Sequence, residues 1–202
     1  MDLTTHLTSV IHNVKNKLQL IQSSVDVVFT SQDHKTQVAG DEIRRGLMDV
    51  NQQLVALLGV YKLDQNKLVS TQEVHLADLL ATCADYIPDT FTTKIDCDTD
   101  LVGFIDENLV KAVVSDAIHN AVTYADKQIL LTAMAKEKGV IISVEDDGAG
   151  IRVENSNNKG TGLGNFFARQ VAESHRNGEV YGDLELKTSS VLGGAAFLLY
   201  LP

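Results

Sequence analysis

The sequence predicts an α+β protein in two parts, an N-terminal helical hairpin that forms a dimeric four-helix bundle and a C-terminal α/β two-layer sandwich. Three observations carry that reading. Apolar residues step by three and four through the first third of the chain, ten of the fourteen glycines fall between Gly139 and Gly194, and short strand-like runs alternate with helical ones after residue 67. The change of pattern divides the chain into a hairpin over 1–67 and a second domain over 68–202.

Taken in order, Leu3, Leu7, Val10, Val14, Leu18, Ile21, Val25 and Val28 draw one stripe along a helix, and Ile43, Leu47, Val50, Leu54, Leu57 and Tyr61 draw another. The polar stretch 31–40 between them makes the pair a hairpin. A lone hairpin cannot bury both stripes, and their near-heptad spacing favours a second copy, hence a homodimer. Beyond residue 67, strands fit Ser70 to Val74, Thr93 to Cys97, Leu101 to Ile105, Gln128 to Met134, Val140 to Val144, Glu179 to Thr188 and Ala195 to Leu201. Helices fit Leu76 to Tyr86, Glu107 to Tyr124 and Leu163 to His175, enough to cover one face of a mixed sheet.

Composition narrows the function. With 202 residues, 44% apolar, the chain buries a real core, and no window approaches the ~20 apolar residues of a membrane span. Neither a secretory leader nor a membrane span is expected. Cys83 and Cys97 have no Cys or His neighbour at metal-ligand spacing, which points to a reducing, cytoplasmic setting. The net charge of −10 resides in the second domain, where ten bases face twenty acids, and it argues against nucleic-acid binding.

The chemistry concentrates in two glycine runs and one helix. In Asp147-Gly148-Ala149-Gly150 the glycines let the backbone turn against a flat ligand, leaving the Asp147 carboxylate to accept a hydrogen bond from an exocyclic amine such as that of adenine. Gly160-Thr161-Gly162-Leu163-Gly164 opens directly into a helix, an arrangement that offers backbone N–H groups to phosphates. Upstream, Asp116 and Asn120 stand four apart on one helical face, where a carboxylate and an amide oxygen can hold Mg²⁺ against a triphosphate.

These motifs together resemble the ATP-binding domain shared by gyrase, heat-shock chaperones, histidine kinases and mismatch-repair proteins, known as the Bergerat fold. Asp116 to Tyr124 is similar to its N-box, Asp147 to Gly150 to its first glycine box and Gly160 to Gly164 to its second. The order matches, as does the closing strand from Gly193 to Phe197, so the likeness covers roughly residues 70–202. The resemblance implies ATP and Mg²⁺ as cofactors, with Asn120 as the Mg²⁺ ligand, Asp147 as the adenine reader, and Gly148, Gly150, Gly160, Thr161, Gly162, Leu163 and Gly164 around the nucleotide.

The first helix selects a branch of that family. Ile11-His12-Asn13-Val14-Lys15-Asn16 resembles the H-box of two-component sensor histidine kinases, whose dimerisation hairpin also precedes the ATP domain. His12 lies two residues from both Val10 and Val14, off the apolar seam, where an imidazole can attack the γ-phosphate of ATP. Several positions depart from the family pattern. Asn13 stands where an Asp or Glu usually accepts the imidazole proton, Lys17 replaces a usual proline and Thr123 a usual lysine, and the segment between Ile151 and Gly160 is short. Asp116 is an acid where kinases carry Asn. Asn16, four residues after His12, occupies the place from which the family's phosphatases position water.

The resulting expectation is a cytoplasmic two-component histidine kinase or phosphotransfer protein. It phosphorylates His12 from Mg-ATP, with Asp116 and Asn16 in catalytic roles, and relays the phosphate to a response-regulator receiver domain. A separate sensor protein is expected to bring the signal. The alternative is a response-regulator phosphatase or an ATP-gated docking module in which His12 carries no phosphate, a reading that Asn13 and Asp116 favour. A serine kinase that restrains a sigma factor shares the ATP fold but has no need of the His12 hairpin.

Overall fold

The structure, a computed structural model, describes residues 69–85, 87–151 and 163–202, with eight helical residues of the N-terminal part: Val14, Asn16, Lys17, Leu20, Ile21, Ile43, Gly46 and Val50. The hairpin, its dimeric bundle, His12 and the run Gly160-Thr161-Gly162 lie outside the described residues. Within them, Ile21 and Gly46 meet, since a Cβ on Gly46 would come within 2.8 Å of Ile21 Cγ1. Val14 packs against the core of the C-terminal part.

That part runs β1 (Gln72–His75), α1 (Leu76–Ala84), β2 (Thr92–Cys97), β3 (Val102–Ile105), α2 (Glu107–Tyr124), β4 (Gln128–Lys136), β5 (Gly139–Asp146), α3 (Leu163–Ser174), β6 (Arg176–Asn177), β7 (Val180–Tyr181), β8 (Asp183–Thr188) and β9 (Ala195–Leu201). The main sheet has the order β2-β4-β5-β9-β8, with β2 parallel to β4 and every other pair antiparallel. Strands β1 and β3 form a separate antiparallel pair, as do β6 and β7.

Alternation along the strands builds the two layers. Ile129, Leu131 and Ala133 of β4, Val140, Ile142 and Val144 of β5, Leu184 of β8, and Leu199 and Leu201 of β9 share one core with the buried faces of all three helices. Leu131, Ile142 and Leu199 are fully buried, each contributing about 1.5–3 kcal/mol. The other face of β4 and β5 carries Thr132, Met134, Ser143 and Glu145. This is the expected α/β sandwich, a mixed sheet with helices on one face.

Helix α2 positions the site. Asp106 begins it as an extended N-cap whose Oδ1 accepts the Leu109 N–H at 3.2 Å. Val110, Val113, Val114, Ala117, Ile118 and Ala121 then form its buried stripe. The cap is itself anchored. His175, 1% exposed, accepts the Asp106 N–H on Nε2 at 2.9 Å. With Nε2 as acceptor, the neutral ring carries its proton on Nδ1, which donates to the Val171 carbonyl at 2.7 Å.

Three elements differ from the sequence expectation, the first being the short strand β6, which falls outside the expected strands and pairs with β7. The helix from Leu76 stops at Ala84, short of the expected Tyr86, with Asp85 as its C-cap and the Ile87 N–H turning back to the Ala84 carbonyl at 2.8 Å. The single strand expected over Glu179 to Thr188 divides into β7 and β8 around Gly182. A Cβ there would collide with the carbonyl oxygens of Ala172 and Tyr200, and its N–H donates to the His175 carbonyl at 2.9 Å.

Candidate active site

Strand β5 ends at Asp146, and a second carboxylate, Asp147, follows at the start of the loop that leaves it. Asp146 continues the core-side series Val140, Ile142, Val144 and is 5% exposed. Its Oδ1 accepts the N–H groups of Gly148 at 2.9 Å and Ala195 at 3.1 Å, and its carbonyl accepts the Gly194 N–H at 3.0 Å. Both side-chain bonds formed among the described residues therefore fall on one oxygen. Among the described residues the second oxygen takes no hydrogen bond, which leaves it the acceptor capacity that a ligand amine requires.

Asp147, the carboxylate expected at the base, has a different set of partners. Its Oδ1 accepts three backbone N–H groups, from Asp126 at 3.0 Å, Lys127 at 2.9 Å and Gln128 at 2.9 Å, tying the α2–β4 connection to the end of β5. Partial burial pushes this carboxyl up, but the hydrogen bonds from Gln128, Lys127 and Asp126 outweigh it and hold the group below the usual carboxylate range. Sequence reasoning singled out Asp147 and passed over Asp146. The signal was present in the period of two along β5, which assigns the core face to Asp146.

The glycines admit close approaches. A Cβ on Gly148 would run into the Tyr124 carbonyl, and one on Gly194 into the Asp146 carbonyl and Oδ1. Gly150 adopts φ +74°, which a side chain would strain. At the far end, a Cβ on Gly164 would strike the Asp116 carboxylate, so the start of α3 lies directly against α2.

These contacts give α2 two ends of one face. Asp116, Asn120 and Tyr124 follow at intervals of four, near one line along the helix, over about 12 Å at 1.5 Å per residue. The Asp116 carboxylate lies against Gly164, the Tyr124 carbonyl at the helix end lies against Gly148, and Asn120 is exposed between them. The structure thus brings Asp116, Asn120, Gly148 and Gly164 along one helix face, with Gly150 in the loop that leaves β5. Leu163 is the first residue of α3. Asn16 is helical and exposed.

The donor set fits a magnesium nucleotide: a buried carboxylate oxygen for a base amine, glycines with no room for side chains, an exposed amide oxygen on a helix face, and a helix start opposite it. Among the described residues there is no group of three or more His, Cys, Asp or Glu able to hold a metal ion, and no helix long and apolar enough to cross a membrane.

Comparison with known proteins agrees with this geometry. Residues 105–202 match the family model described as histidine kinase-, DNA gyrase B-, and HSP90-like ATPase. Sensor histidine kinase YkoH of Bacillus subtilis (strain 168) is 24% identical over 189 residues, which take in 81% of this chain but 41% of YkoH, so the chain spans less than half of that relative. Among solved structures, Acinetobacter baumannii histidine kinase AdeS superposes with TM-score 0.66 at 14% identity, covering 94% of this chain and 96% of that one. The ATP binding domain of PrrB from Mycobacterium tuberculosis gives TM-score 0.50 at 27% identity, covering 66% of this chain and 97% of that one. Together they support an ATP-binding domain of the histidine-kinase type.

Proposed function

We propose that this chain is a two-component histidine kinase, with residues 1–67 as a dimerising phosphotransfer hairpin and residues 68–202 as its catalytic ATP-binding domain. The observation that carries the reading is the α2 face of Asp116, Asn120 and Tyr124, bounded by a glycine contact at each end and by the buried Asp146 carboxylate. In this reading Asp146, rather than Asp147, accepts the adenine amine, and Asp147 holds the loop that shapes the base pocket. Asn120 supplies one oxygen to Mg²⁺, and Gly160, Thr161, Gly162, Leu163 and Gly164 face the phosphates.

ATP brings the transferable phosphoryl group, and Mg²⁺ neutralises charge on it. A ring nitrogen of His12 forms a bond to the γ-phosphorus as the bridging P–O bond to ADP breaks, and the imidazole proton passes to a base. Asn13 is no base, so Asp116 or a partner protein takes that proton. An aspartate of a response-regulator receiver domain then accepts the phosphoryl group from His12. The setting is cytoplasmic and the working unit a homodimer.

The test is incubation of the chain with γ-labelled ATP and Mg²⁺ beside His12→Ala. Label that is acid-labile, base-stable and lost in the variant is expected. Absence of label despite ATP binding contradicts the kinase reading. It favours a second one, dephosphorylation of a receiver domain, for which Asn13 and the exposed, helical Asn16 already speak.

A further inference from the structure

We infer that Ser189 and Glu145 are positioning residues for base recognition by Asp146, an inference that rests on the nucleotide reading above. Asp146 Oδ1 is fixed by two N–H groups. That of Gly148 comes from its own loop, whereas that of Ala195 is delivered from across the sheet by the turn 189–194 between β8 and β9. The position of the Asp146 carboxylate therefore depends on how well that turn is held.

Ser189 holds it from within. It is 3% exposed, and its hydroxyl accepts the N–H groups of Val191 at 3.2 Å and Leu192 at 2.8 Å while donating to Glu145 Oε2 at 2.6 Å. One proton and two lone pairs are all in use. Main-chain bonds close the same turn, from Ser189 N–H to the Gly194 carbonyl at 2.8 Å and from Gly193 N–H to the Ser189 carbonyl at 3.1 Å. Gly193, at φ +89°, permits that closure.

Glu145 is held in its turn. Ser143 Oγ donates to Glu145 Oε1 at 3.3 Å. Having given its only proton, Ser143 accepts one from Thr132 Oγ1 at 2.7 Å. A relay of four side chains thus runs from β4 through β5 into the turn, on the sheet face opposite the apolar core. Each hydroxyl donates toward the carboxylate. The two neighbouring acids at the end of β5 divide the work: Asp146 offers its second oxygen to the base, and Glu145 fixes the turn that orients it.

The test uses the full chain and titration calorimetry with ATP and with GTP, whose base presents a carbonyl in place of the adenine amine. Unaltered chain is expected to bind ATP in preference to GTP. Ser189→Ala weakens ATP binding by about fivefold and leaves GTP binding within about twofold, so that base discrimination falls, as loss of one hydrogen-bonded support predicts. Ser189→Thr restores the preference. In the nucleotide-free chain the Ala195 amide exchanges faster in Ser189→Ala, while the Leu201 amide at the far end of β9 is unchanged. Should Ser189→Ala fail to fold, Glu145→Gln is read by the same measurements. An unaltered ATP-to-GTP ratio, whether from unchanged affinities or from equal losses, overturns the inference alone. Failure of the unaltered chain to bind ATP overturns the nucleotide reading and this inference with it.

Discussion

Two buried polar side chains lie near the ends of helix α2, His175 and Asp146, and they differ in what each leaves over. At the N-terminal end His175 uses both ring nitrogens, one on the Asp106 N–H and one on the Val171 carbonyl, beside a capped helix start. Toward the C-terminal end Asp146 uses one oxygen on two N–H groups, and its other oxygen takes no hydrogen bond among the described residues. A closed set of hydrogen bonds is what a fold requires; an open one at a similar depth is what a ligand requires.

The largest effect is expected at the closed end. His175→Leu keeps the bulk but leaves the Asp106 N–H and Val171 carbonyl unpaired in the core, costing about 2–4 kcal/mol in urea unfolding with nucleotide affinity of the folded chain unchanged. A comparable loss of affinity would show that the two ends are not separable. Asp147→Ala, which frees three N–H groups that water can reach, is expected to cost about 1–2 kcal/mol, again by urea unfolding. Asp106→Ala, a lost cap, costs about 1 kcal/mol.

The smallest effect is in pH. Burial pushes the His175 imidazole below its ordinary value of 6.5, against the raising influence of the Val171 carbonyl and of Asp106. The unfolded chain therefore takes up this proton first as pH falls. Stability from this group is complete above 6.5 and declines toward the depressed folded value, by at most about 1 kcal/mol over the first pH unit. Asp147, also depressed, contributes above its ordinary value of 3.8, and that contribution is lost as pH falls through its folded value. Unfolding monitored from pH 7 to 3 should show two separate declines, the upper one absent in His175→Leu.

Much of this was legible in the sequence. The helix expected over Glu107 to Tyr124 is α2 at both ends, and the strands expected over Gln128 to Met134 and Val140 to Val144 lie within β4 and β5. Asp116, Asn120, Gly148 and Gly164 were chosen by type, spacing and resemblance, and the structure sets Gly164 against the Asp116 carboxylate and Gly148 against the Tyr124 carbonyl. The adjacent acids Asp146 and Asp147 were harder, because either could follow the glycine-loop pattern. The period of two along β5 puts Asp146 on the core face with Ile142 and Val144, and the register of Glu145 opposite Ala196 agrees with it. Ser189 and His175 were not legible. Their partners lie 44 and 69 residues away, and no local pattern encodes contacts that the sheet order creates.

The central claim is that Asp146 reads a purine amine in an ATP site. It is tested most directly by calorimetric titration of the full chain with Mg-ATP beside Asp146→Asn. The amide oxygen can still accept from Gly148 and Ala195, but its –NH₂ group then faces the base amine, donor against donor. The account predicts a folded variant whose ATP affinity falls at least about tenfold, the scale of a lost charged hydrogen bond. Equal affinity in the two proteins, or an unaltered chain that binds no ATP, would contradict it.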